Sequence, residues 1–190
     1  MKYIEFEYPD DFYGYRNLKG KEIKKFFEWY VEQSNIRINE LERYYLSSSK
    51  NNRLDFTPES LIGLWEWFRK KIEIVPRPVE EVELHRKMVS ELFVEYVPTE
   101  ELSKRTKSLI IDISYYFAQI IILNNPKITW GYFTKPKSRV SLNSPVLLGF
   151  KYKKDLDPRI IVKNCAYATI ENENIRELYD VYNVWLKYIE

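Results

Sequence analysis

The run over residues 109–123, Leu-Ile-Ile-Asp-Ile-Ser-Tyr-Tyr-Phe-Ala-Gln-Ile-Ile-Ile-Leu, limits what this chain can fold into more than any other stretch. Leu102, Leu109, Ile113, Phe117, Ile120 and Ile121 recur at helical spacing, and Ile110, Ile111 and Ile122 make the second half apolar on nearly every side. Such a helix must be covered, because each large apolar side chain left in water forfeits about 1.5–3 kcal/mol of burial free energy. Pro98, Thr99 and the acidic pair Glu100 and Glu101 read as its opening, where the helix dipole favours carboxylates. Asn124-Asn125-Pro126 reads as its end, since proline cannot continue a helix and disfavours helical geometry in the residue before it. The expectation is a central buried helix over 100–124.

The remaining segments are arranged around it. Ile4, Phe6 and Tyr8 alternate with polar neighbours and predict a half-buried strand ending at Pro9. After a polar loop over 10–20, Ile23, Phe26, Phe27, Tyr30 and Val31 predict a helix that Ser34-Asn35 interrupts, and Ile38, Leu41, Tyr44 and Tyr45 a second one. The polar stretch over 47–52 reads as a linker. Thr57-Pro58 predicts the cap and first residue of a third helix carrying Leu61, Leu64, Trp65, Phe68 and Ile72. Residues 80–97 predict a fourth, with Val82, His85, Val89, Leu92, Phe93 and Tyr96 on its inner side. Ile128, Trp130, Tyr132 and Thr134 predict a strand, residues 146–150 its partner, Asp157-Pro158 a capped helix, and residues 175–189 an amphipathic closing helix. With no repeat and no long linker, the fold class is α+β in one domain over 1–190: a predominantly helical body of five to seven helices around the central one, packed against a small sheet of two to four strands.

Composition narrows the functional classes. The chain has one histidine, His85, and one cysteine, Cys165, too few for the usual nitrogen–sulfur zinc site, so no metal is expected. A partly buried helix position is the expectation for His85, and a buried structural thiol for Cys165. No glycine-rich phosphate loop, dinucleotide fingerprint or serine elbow occurs, and no cofactor is expected. Asp10-Asp11 and Asp155-x-Asp157 read as turn and cap residues. The single cysteine, the absence of a leader pattern and the shortness of the apolar run point to a cytoplasmic protein with no membrane span.

Two constellations remain. Ser108, Asp112, Tyr115 or Tyr116, and Gln119 fall along one stripe of the central helix. A carboxylate in so apolar a run must be paired, hydrogen-bonded or protonated. One reading is a polar pocket of Asp112, Tyr116 and Gln119, with Trp130 nearby; the other is that an arginine or a helix amino terminus satisfies Asp112 and fixes register. The second constellation is charge. Residues 127–163 carry nine Lys and Arg against Asp155 and Asp157, interleaved with Trp130, Tyr132, Phe133 and Tyr152. Lys135, Lys137, Arg139, Lys151 and Lys153 are therefore a candidate basic binding surface, for nucleic acid or an acidic protein, while lysines on strand edges also guard against aggregation.

Asp112-x-x-x-Tyr116-Phe117-Ala118-Gln119, Asn125-Pro126, Trp130, Asn143-Ser144-Pro145-Val146-Leu147 and Asp157-Pro158 together resemble a pattern in uncharacterised small bacterial proteins. Some of those are similar to immunity proteins encoded beside polymorphic toxins. The resemblance covers about residues 105–160, and Ala118 and Gln119 stand where the pattern has glycine and glutamate. It implies a cytoplasmic protein that binds, and neutralises, another macromolecule. The expected function is non-enzymatic protein binding. The alternatives are nucleic-acid binding through 127–163, and an enzyme with its pocket at Asp112, Tyr116 and Gln119.

Overall fold

The computed structural model describes residues 2–12, 14–49 and 53–189. It shows an α+β fold in which six α-helices dominate: α1 (Lys21–Ser48), α2 (Ser60–Arg69), α3 (Val79–Met88), α4 (Lys104–Asn124), α5 (Pro158–Glu171) and α6 (Glu177–Leu186). Four short strands form two separate antiparallel ladders, β1 (Ile74–Pro76) with β2 (Glu100–Leu102) and β3 (Thr129–Gly131) with β4 (Val146–Leu148).

α4 is the axis of the molecule. It packs chiefly on α5 and α1, while α2 packs on α6. Leu109, Ile113, Tyr115, Tyr116, Phe117, Ala118 and Ile120 are fully buried, and one core cluster collects side chains from Tyr3 to Tyr182 around them. Among the described residues α4 alone is long and apolar enough to cross a bilayer, and 72% of its most apolar window is buried inside the body. The helix opens later than its acidic prelude suggests. Glu100 to Leu102 pair with Pro76 to Ile74, and Ser103 is the cap, its Oγ accepting the Thr106 amide at 3.2 Å. At the far end Asn124 and Asn125 donate their side-chain amides to the carbonyls of Ile120 and Ile121, satisfying groups the helix leaves open.

Further expectations change. α1 runs through Ser34-Asn35 without a break. Ser34 falls on the same buried face as Tyr30, Arg37, Ile38 and Leu41, so tertiary cover outweighs its weak helix propensity. Thr57 donates to Asp55 Oδ1, from its amide at 3.0 Å and its hydroxyl at 2.6 Å, and does not cap α2, which begins at Ser60. Among the described residues the amino-terminal segment joins no ladder; Phe6 and Tyr8 pack against the core as expected, whereas Tyr3 is buried and Ile4 is 63% exposed, against the expected alternation. Of the linker expected over 47–52, Ser47 and Ser48 belong to α1, and residues 50–52 lie outside the described residues.

The β3–β4 ladder and α5 follow the sequence closely. Trp130 pairs with Leu147, and Asp157 caps α5, its Oδ1 accepting the Arg159 amide at 3.0 Å with Pro158 in the first turn. Beyond β4 the chain turns at Gly149, whose φ is +108°; a Cβ there would lie 2.3 Å from the Lys127 carbonyl oxygen. Only glycine fits that turn.

Candidate functional site

Asp112 sits at the centre of α4 with no exposed surface, and its carboxylate is fully engaged. Arg37 of α1 grips it with two parallel bonds, Nε to Oδ1 at 2.7 Å and Nη2 to Oδ2 at 2.8 Å, and the Tyr3 hydroxyl donates to Oδ2 at 2.6 Å. Ser108, one turn earlier, meets the Tyr3 hydroxyl at 3.0 Å and accepts the Phe6 amide. Arg37 Nη2 reaches the Ile4 carbonyl at 2.8 Å, and Glu40 accepts the Ile4 amide at 2.7 Å. Side chains of α1 and α4 thus satisfy backbone groups of the amino-terminal segment that a neighbouring strand would otherwise have paired. Burial pushes the Asp112 carboxyl up to about 6, against the opposing pull of Arg37 and Tyr3. The arrangement is a closed lock between three segments, with every carboxylate oxygen occupied by protein.

Tyr116, one turn on, turns to other partners. Its hydroxyl accepts the Phe56 amide at 3.0 Å and meets Ser60 Oγ at 2.6 Å, and burial pushes it up to about 12. Gln119 is half-buried on the same helix, and Trp130 is half-buried with its ring edge-on to Tyr30 at 5.8 Å. Tyr115 donates to the Tyr30 carbonyl at 2.8 Å. The structure therefore does not gather Asp112, Tyr116, Gln119 and Trp130 around a shared cavity. Arg37 and Tyr3, the residues that decide the chemistry of Asp112, carried no local signal, since one is an arginine in an ordinary helix and the other lies 109 residues away.

The basic set is dispersed as well. Arg139 is ion-paired to Asp155, and its guanidinium lies 3.6 Å from the centre of the Phe133 ring. Lys151 and Lys153 flank the exposed Tyr152 on a short 3-10 turn whose Lys151 amide is bound by the Tyr188 carbonyl at 2.7 Å. Lys135 and Lys137 line a separate cavity together with residues from the amino-terminal loop.

A dense set of exposed apolar side chains lies elsewhere, in the excursion over 77–99. Its two ends are held side by side by the β1–β2 ladder, in which Ile74 faces Leu102 and Pro76 faces Glu100, and by the Arg77 amide bonded to the Thr99 carbonyl at 2.9 Å. Between them α3 packs mainly on its own 3-10 continuation, Glu91–Tyr96. Val82 and Val97 are buried but belong to no part of the main core. Val94 is half-buried, and most of the other apolar side chains face water: Leu92 is 82% exposed, Tyr96 78% and Met88 74%, with Val79, Leu84 and Phe93 at 60% or more. The fourth helix expected over 80–97 is therefore two pieces with their apolar side outward, and His85 is exposed instead of partly buried, its Nδ1 3.3 Å from Arg77 Nη1. Single exposed apolar residues are ordinary, but six large ones within one short excursion are not. No protein family, curated protein or solved structure matches this chain.

At the base of the excursion opens a cleft of about 480 Å³. Leu102, Ile110 and Ile111 form its apolar floor, and Pro98 is part of its rim. Glu101 in its wall is engaged by Lys107 at 2.8 Å and Arg77 at 3.6 Å, while Glu100 and Lys163 also line the cleft and form no ion pair among the described residues. Cys165 is buried, and burial, with Glu177 adding to it, pushes its thiol up to about 12. That thiol is protonated at neutral pH and is no nucleophile. Among the described residues no three His, Cys, Asp or Glu side chains gather as a metal-binding group.

Proposed function

We propose that this chain is a non-enzymatic, cytoplasmic binding protein that docks another protein through the apolar outer face of residues 79–97. The single observation that carries the reading is that Leu84, Met88, Leu92, Phe93 and Tyr96 stand in water on one excursion. Leaving that surface uncovered forgoes burial free energy that a partner would recover. The adjoining cleft is of a size and character to receive one large side chain, the usual anchor of a protein interface. Residues 77–99 hold five glutamates against three Lys or Arg, so the favoured partner surface is apolar with a basic rim. The resemblance of 105–160 to immunity proteins suggests what that partner is: a toxin encoded beside this gene.

The test is a double variant, Leu92→Glu with Phe93→Glu, both at exposed positions where the fold has little to lose. Binding to the product of the neighbouring gene is measured by titration calorimetry, with sedimentation velocity on each protein alone. The expected result is a complex with the native chain, weakened at least about a hundredfold by two lost anchors of roughly 2 kcal/mol each. Unchanged binding by the variant, no complex at all, or a homodimer that occupies the face would each reject the proposal.

A further inference from the structure

On a different part of the molecule, four cations converge on one cavity. Arg16 and Lys19, from the loop before α1, meet Lys135 and Lys137, from the loop after β3, around a space of about 590 Å³. No carboxylate belongs to its lining. Glu22, whose side chain accepts the Lys19 amide at 3.5 Å, stands on the first turn of α1 outside it. Among the described residues none of the four cations forms an ion pair, whereas Arg37, Arg139 and Arg159 all do.

The two loops are more than a hundred residues apart and are fastened together by Asn143. Its side-chain amide donates to the carbonyls of Arg16 at 3.0 Å and Leu18 at 3.1 Å, and its own backbone amide donates to Phe133 at 2.8 Å. Asn143 is buried and held at φ 58°, a left-handed conformation that asparagine tolerates better than most residues. The cations are thus brought together by a built junction. Like charges gathered without a counter-ion repel, and the repulsion is relieved when an anion enters. Leu18, Ile23 and Leu142 supply an apolar floor beneath them.

We infer that this cavity binds a small molecule bearing several phosphate groups, its apolar or planar body resting on Leu18, Ile23 and Leu142. The volume lies within the ordinary range for small-ligand sites, and the four cations lie around one space instead of along a track, which favours a compact phosphate ester over an extended nucleic-acid strand. Lysine and arginine donors to phosphate oxygens make charge-assisted bonds, each worth about a tenfold change in affinity when lost. Asn143 is a positioning residue that sets the distance between the two pairs of cations. No residue of 77–99 takes part, so the inference stands or falls separately from the docking surface.

The probes are inorganic tripolyphosphate and ATP, titrated calorimetrically into the full chain and into the triple variant Lys19→Gln, Lys135→Gln, Lys137→Gln. All three lysines are exposed, so the variant keeps its fold, which circular dichroism verifies. The expected result is saturable one-to-one binding that weakens about a hundredfold or more in the variant and falls steeply with added salt. ATP binding tighter than tripolyphosphate would assign the apolar floor to the nucleoside. No saturation by either probe at low millimolar concentration, equal binding by the variant, or retention of only long single-stranded DNA or RNA would overturn it.

Discussion

At Asp112 the balance between desolvation and pairing can be measured. Arg37 and Asp112 are both buried, so removing one partner strands the other without water or counter-charge. Asp112→Ala is expected to cost about 3–5 kcal/mol in urea unfolding, whereas replacing the whole lock by Asp112→Leu, Arg37→Met and Tyr3→Phe costs far less, because a buried ion pair is often matched by apolar groups of similar volume. Equal losses in the two proteins would mean that the segment depends on the charges themselves. The pH dependence has a definite sign. The folded-state value of about 6 lies above the ordinary 3.8, so the folded protein holds this proton more tightly than the unfolded chain does. Stability contributed by this group is complete below 3.8 and is lost as pH rises through about 6. A carbon-13 titration of the Asp112 carboxyl should show a midpoint close to 6; a midpoint below 4 would mean that Arg37 prevails over burial.

Among the elements, the turn after β4 and the excursion after β1 show opposite kinds of constraint. Gly149→Ala places a methyl group on the Lys127 carbonyl and forces a left-handed conformation on alanine. The expected loss is about 1–3 kcal/mol, read as a lowered unfolding midpoint with an unchanged slope. A neutral outcome would show that the β3–β4 connection can shift at no cost. The excursion over 77–99 is constrained only at its base, where the β1–β2 ladder and Arg77 close it. Its amides between the strands should exchange with solvent well before those of α4, because few buried contacts hold them. Helical periodicity is present in both α3 and α4, yet only α4 is covered. Period alone reports that a face is apolar; it does not report whether anything lies against it.

For the molecule as a whole, the features legible in the sequence and those hidden from it divide by range. The buried run of α4, the Asp157 cap of α5, the pairing of residues 129–131 with 146–148 and the α+β class were legible because they rest on interactions within a turn or between neighbouring segments. Asp112 was legible as a residue needing a partner, since no carboxylate sits alone in such a run. The identity of that partner was not: Arg37 lies 75 residues away and Tyr3 109. The uninterrupted course of α1, the unpaired amino-terminal segment, the outward face of 79–97 and the meeting of Arg16 and Lys19 with Lys135 and Lys137 were settled by packing of distant surfaces. By itself the sequence determined which segments carry an apolar helical period and where Asp157 caps α5, because those follow from local sterics and hydration. Only the tertiary structure decided which apolar faces and which charges found partners, because that depends on what the folded chain brings beside them.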